Sequence, residues 1–179
     1  MAKQVDITYG NALFELAVEE NKVDVLLDEA KALLDIFAKS PDFIKLLDHP
    51  QMSKQEKKVV VQTTFGGRLS TEMEGLIAMV VEKGHSSKLS SVLSYFIKCV
   101  KKYKNIGVAS VTSAVALSAA QKAAIENRLI ETTGYEKMEM SYQEDPSLIG
   151  GLVIRIEDRV VDSSIKTKLE KLSKTLVNA

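Results

Sequence analysis

Residues able to catalyse a reaction or bind a metal are few in this chain of 179 residues. Neither of the two histidines, His49 and His85, has a partner at a metal-ligand spacing such as H-x-x-x-H. Cys99, the only cysteine, lies beside the apolar stripe of a predicted helix, which is a position typical of a small core residue. The sequence therefore predicts neither a metal site nor an internal disulfide.

Phosphate-binding and nucleophile motifs are also missing. The glycine pairs Gly66-Gly67 and Gly150-Gly151 belong to no phosphate-binding motif, and no serine lies in a G-x-S-x-G context. Asp158, within the predicted hairpin turn, and Asp162, just after the hairpin, are explained by a turn or a helix cap. We therefore expect no catalytic residue, no cofactor and no small-molecule substrate. An enzyme whose site assembles from distant residues remains an alternative.

Charge and hydropathy argue against two further classes of protein, those that bind nucleic acid and those that insert into a membrane. The 24 basic and 24 acidic residues give a formal net charge of zero, whereas a nucleic-acid-binding domain typically has a basic excess. The longest apolar run, residues 76–81, is far too short for a transmembrane helix. The N-terminus resembles neither a signal peptide nor a transit peptide. We expect a cytoplasmic chain that binds no nucleic acid and does not insert into a membrane.

Hydrophobic periodicity predicts an α+β protein of two domains. Residues 1–105 contain only helical patterns, six in all, so we expect an N-terminal six-helix bundle. Caps mark several of these helices, including a capping box at Ser53, a cap at Ser70 or Thr71, and a helix-ending glycine at Gly84. Residues 106–179 mix strands with helices and predict a small C-terminal α+β domain.

The C-terminal domain is predicted to contain a strand at 107–113, a helix from Ser118 to Gly134, a half-buried strand around Met140 and a hairpin at 152–161. The last helix has apolar residues at i, i+4, i+7 and i+11, namely Ile165, Leu169, Leu172 and Leu176. We expect this helix to pack on the sheet with a basic outer face. An amphipathic membrane anchor is the alternative, although such helices usually carry bulkier apolar residues.

Two helices of the N-terminal domain carry more apolar surface than a bundle of this size requires. In the first helix, polar residues form one narrow stripe that begins at Thr8, and the fifth helix is apolar from Gly75 to Val81. One interpretation buries the fifth helix on all sides. The other leaves an apolar groove between the two helices, which would bind an amphipathic partner helix. Small residues such as Gly10 and Gly75 would allow that partner to approach closely.

The stretch from Asp145 to Leu172 resembles the C-terminal motif of the ATP synthase delta subunit, called oligomycin-sensitivity-conferring protein in mitochondria; it reads D-P-S-L-I-G-G-L-V-I-R-I-E-D-R-V-V-D-S-S-I-K-T-K-L-E-K-L. The first helix, with Y-G-N-A-L-F from Tyr9, is also similar to that family. Two positions depart from the family pattern: Gly10 replaces an alanine, and Ser163 replaces a glycine. The second departure predicts either a turn without positive φ at Ser163 or some local strain there.

This resemblance implies a non-catalytic stator, or peripheral stalk, subunit of the proton-translocating ATP synthase. Such a subunit serves ATP synthesis and hydrogen ion transport by linking the catalytic head to the membrane sector. The resemblance implies that the helical domain, residues 1–105, binds the N-terminal helices of the alpha subunits in a groove between its first and fifth helices. The residues assigned to that contact are Tyr9, Ala12, Leu13, Leu16, Ile77, Val80 and Val81.

The same resemblance implies that the α+β domain, residues 106–179, contacts the b-subunit stalk through the segment from Leu148 to Leu176. The chain would then lie at the cytoplasmic face of the cell membrane, held there through the complex. The alternative is a generic helical adaptor whose groove binds another amphipathic helix. That alternative explains the two apolar helices equally well but not the C-terminal motif.

Overall fold

In the computed structural model, which describes residues 2–49 and 51–177, the chain divides into two compact units. The division falls between Lys101 and Lys102, shortly before the boundary expected from the sequence. The described residues form eight α-helices and a four-stranded sheet, with the strands confined to the second unit. The predicted α+β class is therefore confirmed.

Six helices build the first unit, the last of them continuing two residues into the second: α1 (Ala2–Glu19), α2 (Val23–Lys39), α3 (Pro41–Leu47), α4 (Lys54–Phe65), α5 (Thr71–Glu82) and α6 (Leu89–Tyr103). The predicted capping box at α4 is present, because Ser53 Oγ accepts from the Glu56 amide and the Glu56 carboxylate accepts from the Ser53 amide. Gly84 follows α5 with φ of 74°, as a helix-ending glycine does.

One continuous apolar core fills the helical unit. Phe96 and Leu93 of α6, Leu26 and Leu33 of α2, and Ile77 of α5 are all fully buried in it. These positions recur every three or four residues along each helix, so each helix turns one stripe inward. Burial of this much apolar surface is the main driving force for folding of the unit.

The second unit is a sheet of order β2-β1-β3-β4, built from β1 (Ile106–Ser113), β2 (Lys137–Glu144), β3 (Leu152–Ile156) and β4 (Arg159–Asp162). Helix α7 (Ala119–Thr133) connects β1 to the parallel strand β2. The antiparallel pairs β1–β3 and β3–β4 complete the sheet, and the predicted hairpin is confirmed. A final helix, α8 (Ile165–Val177), follows β4.

The core of the second unit is small. Alternate residues of β1, among them Ala109 and Val111, point to one face, where Leu129 of α7 and Met138 of β2 pack. The capping box of α7 is present at Ser118 and Gln121, and α7 ends at Gly134 in the left-handed conformation. Both ends of α7 are therefore as the sequence predicts.

Candidate partner-binding surfaces

Helix α1 exposes an apolar stripe on one flank. Ala12 is exposed and Tyr9 and Leu16 are half-buried, at the spacing i, i+3, i+7 that places side chains on one face of a helix. Leu13, the fourth residue assigned to partner contact on α1, lies in the core instead, with 2% of its surface exposed. Three of the four assigned α1 residues therefore have surface that a partner can contact.

The assigned residues of α5 have no such surface. Ile77 and Val80 are 0% exposed and Val81 is nearly so, and all three pack in the helical core. The apolar run of α5 thus buries one wide face against the bundle, as the interpretation of a buried fifth helix predicts for these three positions. In this conformation they support the surface rather than contribute to it.

What α5 does expose is a narrow stripe that the sequence-based assignment missed. Met79 is 53% exposed and Gly75 is exposed, and both follow Glu72 at i+3 and i+7. A methyl group built on Gly75 would meet no atom within 4 Å. A helical wheel of α5 could have revealed this stripe from the sequence, because it places Gly75 and Met79 on the side away from the buried positions Met73 and Ile77.

Because α1 and α5 pack against each other, we group their exposed apolar residues as one candidate surface. We call it the α1–α5 surface: Tyr9, Ala12, Leu16, Gly75 and Met79. The opposite flank of α1 faces α6, where Asn11 Oδ1 lies 3.8 Å from Cys99 Sγ. A methyl group on Gly10 would lie 2.5 Å from the ring of Tyr95, so Gly10 permits helix packing rather than the approach of a partner.

A second apolar surface lies in the α+β unit, and it corrects an expectation. Helix α8 was expected to pack on the sheet, but its apolar residues are open to solvent: Leu172 is 61% exposed, and Leu169 and Ile165 are also exposed. The side chain of Leu176 lies outside the described residues. The apolar face of β1 is already packed by α7, and α8 instead lies against the short 3-10 turn Pro146–Leu148.

The start of α8 is held by hydrogen bonds rather than by apolar packing. Asp162 accepts from the Ser164 amide at 2.8 Å and from Thr167 Oγ1 at 2.7 Å. These bonds keep the pKa of Asp162 below its usual range. The capping side chain of α8 is Ser164, whose Oγ accepts from the Thr167 amide at 3.2 Å. Asp162, predicted to serve a turn or a cap, supports this cap through its bonds to Ser164 and Thr167. Ser163 avoids positive φ, as expected, and nearby Gly151 adopts it at 80°.

Strand β4 and the loop before β3 add further exposed apolar side chains. Val160 and Val161 of the edge strand β4 are exposed. Ile149 is exposed and has φ of 65°, a conformation that a β-branched residue rarely adopts. Val160 and Val161 are adjacent in the strand and point to opposite faces of the sheet, so they are not grouped with α8. We call Ile149 and the exposed apolar residues of α8 the C-terminal surface: Ile149, Ile165, Leu169 and Leu172. All of these residues lie within the segment from Leu148 to Leu176 that the resemblance assigned to the stalk contact, although sequence reasoning did not single out Ile149.

The residues considered for chemistry have structural roles. Within residues 2–49 and 51–177, no group of three His, Cys, Asp or Glu side chains is placed to hold a metal ion. His49 Nδ1 accepts a hydrogen bond from the Gln51 amide. Side chains added at Gly150 or Gly151 would collide with Ile165 or the Ser163 backbone, so this pair allows the approach of α8. No helix in the described ranges has the length and apolarity needed to cross a membrane.

The sequence model of the ATP synthase delta (OSCP) subunit family matches residues 5–176. The chain belongs to this family. The ATP synthase subunit delta of Lachnoclostridium phytofermentans is 46% identical to this delta-family chain, over 98% of the chain and 97% of the relative. That of Desulforudis audaxviator is 33% identical over 94% and 92%.

A solved structure shows the same fold. A chain in the mitochondrial ATP synthase hexamer of Toxoplasma gondii superimposes with a TM-score of 0.77 at 19% identity, covering 96% of this chain and 97% of its own. Family membership confirms the functional prediction from the sequence, that this delta-family chain is a peripheral stalk subunit of ATP synthase.

Proposed function

We propose that the chain connects two parts of ATP synthase through its two exposed apolar surfaces and catalyses no reaction itself. The α1–α5 surface binds an N-terminal helix of an alpha subunit, and the C-terminal surface binds the b-subunit stalk. The observation that carries the proposal is that each compact unit exposes an apolar surface of its own. A linking subunit needs two such surfaces, one for each partner.

The physical task of this link is to resist torque. Rotation of the central stalk does work on the catalytic sites only if the head is prevented from turning with it. A contact with nanomolar affinity requires about 12 kcal/mol of binding free energy. A few apolar side chains buried at the centre of a helix interface supply most of that free energy.

The α1–α5 surface fits an amphipathic helix. Tyr9 and Met79 offer large, half-buried or exposed side chains, while Ala12 and Gly75 leave room between them. An incoming helix with apolar residues at i, i+3 and i+7 would place its side chains in this space. Leu13, Ile77, Val80 and Val81 act from beneath, because they fix the two helices against the core.

The C-terminal surface suits a partner of different charge. Beside its apolar stripe α8 carries Lys166 and Lys168, while Lys171, Lys174 and the one acidic residue, Glu170, lie further round the helix. A stalk helix with apolar residues flanked by carboxylates would complement both features. The described residues hold no transmembrane helix. We therefore propose that the chain reaches the cytoplasmic face of the cell membrane through its partners.

Gly75 provides the sharpest test of the α1–α5 surface. A Gly75→Phe variant should keep the fold, because the space above Gly75 is open, and should weaken binding of a peptide from the alpha-subunit N-terminus more than tenfold. Isothermal titration calorimetry measures the affinity and circular dichroism the fold. Gly75→Ala is the matched control; it should bind normally and stabilise α5 by about 1 kcal/mol.

A pull-down tests both contacts at once. The tagged chain, isolated from detergent-solubilised membranes of its source, should carry alpha, beta and b subunits with it. Peptide binding that survives Gly75→Phe would place the alpha contact elsewhere on the helical unit. Recovery of the folded chain with none of these subunits would contradict the proposed link.

A further inference from the structure

Helix α5 begins without the local cap that other helices of this chain use. Ser70 occupies the N-cap position, as the sequence predicts, but its side chain makes no capping hydrogen bond within α5. The third residue of α5, Met73, has no carboxylate or amide, whereas α4 has Glu56 and α7 has Gln121 at that position. Helix α5 therefore has no capping box of its own, and the amide and hydroxyl of Ser70 bond to a group outside the helix.

A carboxylate of α2 replaces the missing cap. Glu29 accepts hydrogen bonds from the Ser70 amide at 2.9 Å and from the Ser70 hydroxyl at 2.7 Å. Both donors lie at the N-terminus of α5, where the helix dipole favours a negative charge. The start of α5 is thus fixed to α2 by two directional bonds.

A second contact ties the same turn of α5 to the end of α1. Lys22, in the turn between α1 and α2, places its Nζ 2.6 Å from Glu72 Oε1 and 2.7 Å from Glu20 Oε2. The Glu72 side chain is only 11% exposed. Hydrogen bonding to Lys22 lowers the pKa of Glu72 to about 2, and hydrogen bonds to Glu20 and then Glu72 raise the pKa of Lys22, so the pair stays ionised at neutral pH.

These contacts supply a directional constraint that apolar packing lacks. Burial of side chains such as Ile77 holds α5 in the bundle, but hydrophobic attraction is non-directional. Charge-assisted hydrogen bonds have narrow distance and angle requirements, so they fix how far α5 slides and rotates. Glu72 also shares a flank of α5 with Gly75 and Met79, which belong to the α1–α5 surface.

We infer that Lys22 and Glu29 are positioning residues for the alpha-subunit helix: by holding the first turn of α5 they align Gly75 and Met79 with the stripe on α1. We call the set Glu20, Lys22, Glu29, Ser70 and Glu72 the α5 clamp. The inference rests on the proposed function, because it assigns the clamp to the proposed alpha-binding surface. Without the clamp, α5 occupies several positions and only some of them accept the partner.

The first measurement needs no partner. Spin labels at Glu15→Cys on α1 and Glu82→Cys on α5, both exposed positions, report the distance between the helices in a full chain that also carries Cys99→Ser. The chain with an intact clamp should give one narrow distance distribution by double electron–electron resonance. Adding Lys22→Met and Glu29→Gln should broaden it. A chain with Lys22→Arg and an unchanged Glu29 keeps the charge and the hydrogen bonds, so it should give the narrow distribution.

The second measurement is the affinity for the alpha-subunit N-terminal peptide, without labels. Lys22→Met with Glu29→Gln should weaken binding about three- to tenfold, because the binding-competent fraction falls in proportion. The matched control is Lys45→Met, which removes an exposed ion pair with Asp42 elsewhere in the same unit. It should change neither the affinity nor the distance distribution.

The outcomes separate the clamp from the proposed function. An unchanged distance distribution in the clamp variant overturns the inference, whatever the peptide does. A broadened distribution with unchanged affinity also overturns it, since α5 would then move without consequence for binding. If the unmodified chain binds no alpha-subunit peptide, the proposed function is wrong, and so is the role in binding assigned to the clamp. The distance measurement still decides whether the clamp holds α5.

Discussion

The two units of the chain treat apolar side chains in opposite ways. The helical unit buries a large set of apolar residues in one core, including Ile77 and Val80 of α5, although side chains such as Val59 and Met79 are exposed. The α+β unit has a small core around Ala109, Leu129 and Met138, while it leaves Leu169 and Leu172 of α8 in solvent. A small domain has little interior, and here the second unit exposes what it cannot bury. The comparison teaches that an apolar excess in the sequence does not by itself locate a binding surface.

The largest effect should come from a charge placed in the helical core. Ile77→Asp removes a fully buried side chain and leaves an unpaired carboxylate, which should cost at least about 4 kcal/mol and unfold the helical unit. Met79→Asp, two residues on and 53% exposed, should cost less than about 1 kcal/mol. Hydrogen exchange of α2 and α6 amides in the full chain measures both.

If Ile77→Asp left the exchange of these amides unchanged, α5 would have to expose the face that the structure buries. The contrast between a closed helical unit and an open α+β unit would then be lost.

A smaller effect is expected in the α+β unit. Leu169→Ala with Leu172→Ala should leave the stability of the chain within about 0.5 kcal/mol, because both side chains are exposed. Binding to the soluble part of a b subunit should weaken at least about tenfold, because the apolar centre of the interface is removed. Surface plasmon resonance measures the affinity. Lys174→Ala, on the opposite side of α8, should change it no more than about twofold.

A loss of several kcal/mol of stability in this leucine variant would restore the original expectation that α8 packs on the sheet. Unchanged binding would instead show that the stalk contact lies outside α8.

The smallest effect should appear in acid. The folded pKa of Asp162 lies below its usual value, so its ionised form stabilises the start of α8. That contribution is complete above the usual pKa of an aspartate, about 3.9, and is lost as the pH falls through the lower folded value. Amide signals of Ser164 and Thr167 in NMR spectra should shift in this range, and Asp162→Asn should remove the transition.

Glu56, which caps α4 in the helical unit, provides the comparison. Hydrogen bonds from Ser53 lower the pKa of Glu56 as well. Helix α4 also packs Val61 and Phe65 in the core, so we expect it to remain helical in acid while α8 frays. Equal fraying of both helices would remove the distinction between the two units.

Features set by local sequence were predicted correctly. The capping boxes at Ser53 and Ser118, the end of α7 at Gly134 and the hairpin between β3 and β4 all depend on residues within a few positions of one another. The resemblance in the C-terminal motif identified the family. Local hydrogen-bonding patterns and turn chemistry suffice for such features, because their partners are close in the chain.

Features set by distant residues were not predicted. The cap of α5 comes from Glu29, which lies 41 positions from Ser70, and no periodic pattern reports such a pairing. The same holds for burial of Ile77 and exposure of Leu172, because a helical stripe shows which residues share a face but not what lies opposite that face. Sequence therefore located the two helices of the proposed alpha-binding surface and its α1 residues Tyr9, Ala12 and Leu16, but not the exposed residue Met79 of α5.

Because the cap of α5 comes from α2, the order of these two helices in the chain matters during its synthesis. Helices α4 and α7 carry their own capping residues and begin to form as soon as they leave the ribosome. Helix α5 gains its cap only by meeting α2, and α2 precedes it in the chain, so the cap is already made when α5 emerges. In a circularly permuted chain that placed α5 ahead of α2, α5 would be synthesised first and would lack its cap until α2 had followed.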